Sequence, residues 1–247
     1  MHGFANPARF LRLARLLTGP LLVSGALLTG TVLVWGLLAA PAEQLQGETV
    51  RILFIHVPTA WLGMGGWTMI ALCSFSELVW RHPLASTAAR AAALPGAVFA
   101  AVCLSTGSLW GRPAWGTWWV WDGRLTSMLI LFFLYCGYIA LADATNRSDS
   151  GNTRIVAIFG LVGALNIPII HYSVIWWNSL HQPPSIGVSA LSGQSAMAPA
   201  FLYGLLAATL GFSLLFGGVF LARMRAILAD QQADARLRRR AMDLADA

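Results

Sequence analysis

Apolar residues fall into six long runs along the chain, at roughly 16–40, 53–80, 91–109, 125–142, 155–172 and 199–222. The stretches between them, 41–52, 81–90, 110–124, 143–154 and 173–198, together with the two ends of the chain, hold every charged residue except Glu77. A membrane-crossing helix needs about 20 apolar residues, and these runs are near that length or longer. They are too long for barrel strands, and open sheet edges do not survive in lipid, so the spans are helices. The pattern predicts an all-α polytopic bundle of six transmembrane helices. It is read as one membrane domain over 1–247, carrying a loop at 110–124, a second at 173–198 and a tail at 223–247.

Composition supports this reading. Of 247 residues, 57% are hydrophobic and 11% charged, with a mean hydropathy of +0.66. A net charge of +6 would ordinarily raise the question of nucleic acid. In a membrane protein it mainly records topology. All 16 basic residues are Arg, and with both termini placed inside, 13 of them fall on the cytoplasmic side against Arg51, Arg112 and Arg124 outside. That asymmetry follows the positive-inside rule, so the connections 41–52, 110–124 and 173–198 are expected to face away from the cytoplasm. Arg9, Arg12 and Arg15 precede the first run, which ends near Leu38-Ala-Ala-Pro-Ala42 in the manner of a signal-peptide cleavage site. A signal peptide's apolar region is only about 7–15 residues, so this longer run is read as an uncleaved span.

Cys73, Cys103 and Cys136 lie inside apolar runs without C-x-x-C spacing, where a thiol packs as a small apolar side chain. The tail from Met224 mixes Arg and Asp with Ala and Leu and reads as a helix leaving the last span. A solvated end that fixes topology, a contact with anionic lipid and a docking surface for a cytoplasmic partner all fit it. No G-x-x-x-x-G-K-[ST] phosphate loop occurs, so any ATP chemistry belongs to another protein. The spans carry no Ser/His or carboxylate dyad at motif spacing, which argues against an enzyme acting on lipid or peptide. Glu77, near the inner end of the second span, reads as a snorkelling or paired structural residue.

Candidate chemistry gathers at the outer end. The stretch Trp110-Gly-Arg-Pro-Ala-Trp-Gly-Thr-Trp-Trp-Val-Trp-Asp-Gly-Arg124 holds five of the chain's 11 Trp, with three Gly and Pro113 between them. It has no period of 2 or 3.6, and its Pro and Gly predict an irregular segment. Two readings remain open for it: a platform for a large flat ligand, or part of an aromatic belt at the membrane interface. His56 opens the second span, His171 closes the fifth, and His181 lies in the last external connection. His2 and His82 lie elsewhere, in the N-terminal segment and in a cytoplasmic turn. Neutral imidazoles are common iron ligands, and haem accepts up to two. Arg112 and Arg124 are forked donors suited to propionates. Asp122 either pairs with one of those arginines or caps the helix beginning near Leu125.

The Trp-rich stretch, continued by Leu-Thr-Ser127, resembles the tryptophan-rich "WWD" signature of haem-handling membrane proteins. Within that group it is most similar to the CcmC family of bacterial cytochrome c maturation. Arg51-Ile-Leu-Phe-Ile-His-Val-Pro58 and Asn166-Ile-Pro-Ile-Ile-His-Tyr-Ser-Val-Ile-Trp-Trp-Asn-Ser-Leu-His-Gln182 carry the same resemblance, which runs from about Trp35 to Gln182. It implies that His56 and His181 are the axial ligands of a haem b bound transiently and without a covalent bond. Trp110, Trp115, Trp118, Trp119, Trp121 and Asp122 would form the haem platform, flanked by Arg112 and Arg124. His171 matches a position not assigned as a ligand, and Ile175 stands where an acidic residue is expected. The resemblance further implies a bacterial inner-membrane location with the haem site facing the periplasm. It implies as partners CcmD, the haem chaperone CcmE, and the transporter subunits CcmA and CcmB. The function expected is haem presentation rather than catalysis. The rival is a cofactor-free permease or scaffold subunit of an ABC-type complex, which would purify colourless from haem-replete cells.

Overall fold

A computed structural model describes residues 7–147, 153–177, 179–181 and 197–245. His2, Asn178, Gln182 and most of the 173–198 connection lie outside the described residues. The helices are α1 (Pro7–Leu38), α2 (Leu53–Trp80), α3 (Ala85–Trp115), α4 (Gly123–Arg147), α5 (Thr153–Gly163), α6 (Asn166–Trp176) and α7 (Pro199–Ala245). A 3-10 turn, Glu48–Ile52, leads directly into α2. No β-strand occurs among the described residues. Six helical stretches are long and apolar enough to cross a membrane, α5 and α6 together making one of them. The expected six-helix architecture is therefore the observed one, with each span at least as long as its apolar run.

The fifth span is interrupted for a local reason. Pro168 has no N–H to give, and its ring crowds the carbonyl four residues back, at Ala164. The chain responds there by tightening: Ala164 N donates to Leu161 O, Leu165 N to Val162 O, and Ile167 N to Ala164 O, each at 3.1 Å. Asn166, buried at this break, donates its side-chain amide to Ser127 O at 2.8 Å and so ties α6 to the start of α4.

Small residues let the helices approach closely, as membrane helices require without a hydrophobic force between them. A Cβ on Gly66 would lie 3.2 Å from Gly96 Cα, and one on Gly63 would lie 3.3 Å from Ala100 N, so α2 and α3 meet nearly backbone to backbone. On the other flank, Gly25 of α1 and Leu215 of α7 do the same, the added Cβ falling 2.7 Å from Leu215 N. Trp67 fills the centre, fully buried against Tyr135, Tyr138 and Phe159. Its Nε1 donates to Gly160 O at 3.2 Å. Two smaller clusters mark the ends of the bundle. Phe10 and Leu11, the α2–α3 turn at Leu84, and Met224 with Leu228 meet at one end. Ala40, Val50, Phe54, Phe201 and Trp110 meet at the other. Beyond the first of these ends α7 continues as a helix whose residues 229–244 are all exposed. The tail thus has the helical form expected of it.

The Trp-rich stretch departs from expectation in its first half. Trp110 to Trp115 are not irregular; they form the last turns of α3. Pro113 sits three residues from the helix end, where its missing N–H forfeits one backbone bond, the one to Leu109 O. Gly116 then closes the helix at φ 76°, a left-handed conformation suited to Gly, with its N–H on Arg112 O at 3.1 Å. The irregular segment is therefore 116–122.

Candidate functional site: paired histidines beneath a tryptophan rim

The site is assembled where α1 ends and α2 begins. Arg51, in the 3-10 turn, donates from Nε to Ala40 O at 2.8 Å and from Nη1 to Leu37 O at 3.2 Å. It satisfies the last carbonyls of α1 as a basic side chain at a helix C-terminus does. Glu48 pairs with the same guanidinium at 2.5 Å. This clamp sets the start of α2, and one turn later α2 turns His56 inward against α3. His56 is only 8% exposed. Its Nδ1 lies 3.1 Å from Cys103 O and 3.1 Å from Thr106 Oγ1.

His181 reaches the same place from the connection after α6. Its backbone N–H donates to Ser179 Oγ at 3.0 Å, and the Ser179 hydroxyl donates in turn to Asp122 Oδ2. The other Asp122 oxygen, Oδ1, accepts from Leu125 N at 2.8 Å. Asp122 therefore caps α4, one of the two roles open to it, and also tethers the segment bearing His181. The two imidazoles end up close together, ring centroids 6.2 Å apart and planes within 26° of parallel.

Tryptophans surround this pair unequally. Trp110 meets the His56 ring edge-on at 5.7 Å and is held by its Nε1 donating to Gln46 Oε1 at 2.8 Å. Trp115 meets His181 at 5.9 Å. Trp118 and Trp121 are 55% and 77% exposed and form an outer rim, with Trp119 against Trp121 at 5.6 Å. Trp119 Nε1 is buried without an acceptor among the described residues. Ser108 Oγ donates to Trp118 O at 2.9 Å and fastens the rim back onto α3.

The arginines are already engaged. Arg112 donates to Gly116 O, and its guanidinium lies 6.0 Å from the Trp118 ring centroid. Arg124 donates from Nη2 to His171 O at 3.1 Å and from Nε to Ser173 Oγ at 3.5 Å, which ties α4 to α6. His171 itself is exposed, packs on Tyr172 at 4.8 Å, and faces a groove shared with Trp61, Met64 and Ile167. It is not part of the histidine pair. Ile175 is 69% exposed on α6, so the absent acidic residue leaves no buried partner wanting. Gln46, Arg51, Thr106 and Ser179 were not singled out by the sequence. Each acts through a bond to a residue well separated along the chain, and of the four Arg51 and Ser179 lay within stretches already marked.

A family profile described as heme exporter protein C matches residues 1–239. The chain belongs to the heme exporter protein C family. It is 49% identical to the heme exporter protein C of Bradyrhizobium diazoefficiens over 222 residues, covering 90% of this chain and 82% of that one. It is 41% identical to the Escherichia coli K12 protein of the same description over 229 residues, 92% and 90% of the two chains. The Haemophilus influenzae protein of that description is 40% identical over 233 residues, 94% and 93%. These matches extend over α1 to α7, well past the segments that carry the motif resemblance.

Proposed function

We propose that this chain binds haem b between His56 and His181 and presents it to the chaperone CcmE for cytochrome c maturation. The observation that carries the reading is the spacing of the two imidazoles. Metal–imidazole bonds are about 2.0–2.1 Å, so two rings on opposite sides of one metal have centroids about 6 Å apart, close to the 6.2 Å found. Among the described residues no cluster of three His, Cys, Asp or Glu could hold a bare ion. Two imidazoles suit a metal that brings its own equatorial ligands, as haem iron does.

When bound, haem supplies a flat apolar ring, two propionates and an iron that takes axial ligands. The chain's residues supply position. Trp110 and Trp115 hold the two imidazole rings edge-on, while Trp118, Trp119 and Trp121 offer apolar faces beside them. Trp119 Nε1 is a buried donor suited to a propionate oxygen, and Arg112, on the exposed rim, is suited to the other. An open rim of exposed tryptophans leaves one porphyrin edge within reach of a second protein. The role is haem binding and transfer, not catalysis, since the bond to be made forms on the chaperone. CcmD, CcmA and CcmB are the further partners this reading takes from the family, the latter two bringing ATP chemistry.

The arginine distribution supports an inner-membrane orientation with both termini cytoplasmic and the histidine pair in the periplasm. A single Cys reporter placed at Trp118 should react with a membrane-impermeant maleimide in intact spheroplasts, and one placed at Ala233 should react only after lysis. Reporters behaving the other way round would contradict the orientation.

A further inference from the structure

We propose that Thr106 and Gly107 of α3 are positioning residues that hold the His56 ring as its Nδ1–H tautomer, leaving the Nε2 lone pair for the iron. This inference rests on the reading of His56 as an axial ligand. It begins with a count of protons. The Thr106 hydroxyl has one, and it is given to carbonyl oxygens of its own helix: Val102 O lies at 2.7 Å and Cys103 O at 3.2 Å. What Thr106 Oγ1 then turns toward His56 Nδ1, 3.1 Å away, is a lone pair. The second neighbour of Nδ1 is Cys103 O, also at 3.1 Å, and a carbonyl only accepts. Two acceptors around one ring nitrogen require that nitrogen to carry the proton. In a neutral imidazole the other nitrogen is then bare, which is the form that binds a metal.

Gly107 supplies the room. A Cβ built on it would lie 3.0 Å from His56 Cε1, 3.5 Å from Nδ1 and 4.0 Å from Nε2. The imidazole thus lies along the helix surface at a point where a Cβ would force it to shift by a few tenths of an ångström. Glycine inside a helix is ordinarily unfavourable against alanine, and here the missing side chain leaves the ring room beside both acceptors of Nδ1. Thr106 and Gly107 are adjacent, so one turn of α3 provides an acceptor and a vacancy for the same ring.

A hydrogen bond accepted from the far nitrogen makes an imidazole a stronger donor to its metal, and losing such a partner typically costs 10–100-fold in metal affinity. A stronger donor favours ferric over ferrous iron. The test uses the full-length protein loaded with haem, with the midpoint potential read by optical redox titration. Thr106→Val should weaken the ferric preference about tenfold and raise the potential by about 59 mV. Thr106→Ala, which deletes the same acceptor without adding a branched apolar group, should give a shift of the same sign. Thr106→Ser, which restores the hydroxyl, should return the potential to the wild-type value. Gly107→Ala should lower haem affinity about tenfold. A potential unmoved by both Thr106→Val and Thr106→Ala would overturn the proposal. So would a shift that Thr106→Ser fails to reverse, as would wild-type haem affinity in Gly107→Ala. The underlying assignment fails separately: it falls if His56→Ala leaves the haem spectrum unchanged, whatever Thr106 does.

Discussion

His56→Ala and His181→Ala should each abolish the low-spin haem spectrum of the purified protein and weaken ferric haem binding by about a hundredfold or more. The magnitude follows from a comparison. Loss of a mere hydrogen-bond partner of a metal-bound His costs about 10–100-fold, and removing the imidazole itself costs at least as much. The two variants should differ in what remains. His56 is buried beneath Trp110 and fixed to α3 at Cys103 O, so its removal leaves a cavity in packed structure and lowers thermal stability as well. His181 lies on a segment outside the helices and is less deeply buried, so His181→Ala should melt close to wild type. Added imidazole should restore a six-coordinate spectrum to His181→Ala more readily than to His56→Ala. Haem titration followed by Soret absorbance, together with melting in detergent, measures both effects. A wild-type Soret band in both variants would remove these residues from the iron.

The second large effect is expected at Asp122, which holds two elements at once. Its Oδ1 caps α4 at Leu125 N, and its Oδ2 accepts from Ser179, whose oxygen in turn accepts from His181 N. Asp122→Ala removes both. Loss of the cap costs about 0.5–2 kcal/mol, and release of the His181 segment lowers haem affinity about 10–100-fold. The roles separate by substitution. Ser179→Ala leaves the cap and cuts the tether, so haem affinity falls while the melting temperature holds. Asp122→Asn keeps an oxygen for Leu125 N and should recover most of the stability. Its amide cannot accept the Ser179 proton while its oxygen serves the cap, so affinity stays low. Equal losses of stability in Ser179→Ala and Asp122→Ala would show that Asp122 does not divide its work this way.

How far the sequence could be read depended on whether the controlling interaction was local. The six spans were legible because about 20 consecutive apolar residues are a signal carried within the run itself. Their true ends were not. α3 continues through Pro113 to Trp115 because one forfeited bond near a helix end is cheap and Gly116 supplies the left-handed residue that stops it. The break at Ala164–Leu165 could have been placed from Pro168, since a proline's steric conflict falls at a known offset. His56, His181 and the tryptophans were marked by residue type and by the family resemblance, and the structure brings His56, His181, Trp110 and Trp115 together. It leaves His171 apart on the groove side of α6 and turns Arg124 to the backbone of that helix.

The long-range bonds that hold the site together were illegible for a different reason. Thr106 acts on a ring 50 residues away, Trp110 on an amide 64 away, and Asp122 on a hydroxyl 57 away. A threonine in an apolar helix ordinarily bonds back to its own carbonyls, and Thr106 does that too. Nothing in its neighbours distinguishes it from Thr59, whose hydroxyl donates to Ile55 O and His56 O of its own helix. Only the packing of α2 on α3 across Gly63, Gly66 and Gly96 places His56 against that particular turn.

The most direct test of the central claim is the coordination of iron in the wild-type protein. Ferric haem bound to the full-length protein in detergent should give the low-spin, six-coordinate electron paramagnetic resonance and resonance Raman signatures of two imidazole ligands. Replacing His56 or His181 alone should convert it to a five-coordinate high-spin form. A wild-type complex that is already high-spin, or a bis-imidazole signature that survives replacement of both histidines, would contradict the account.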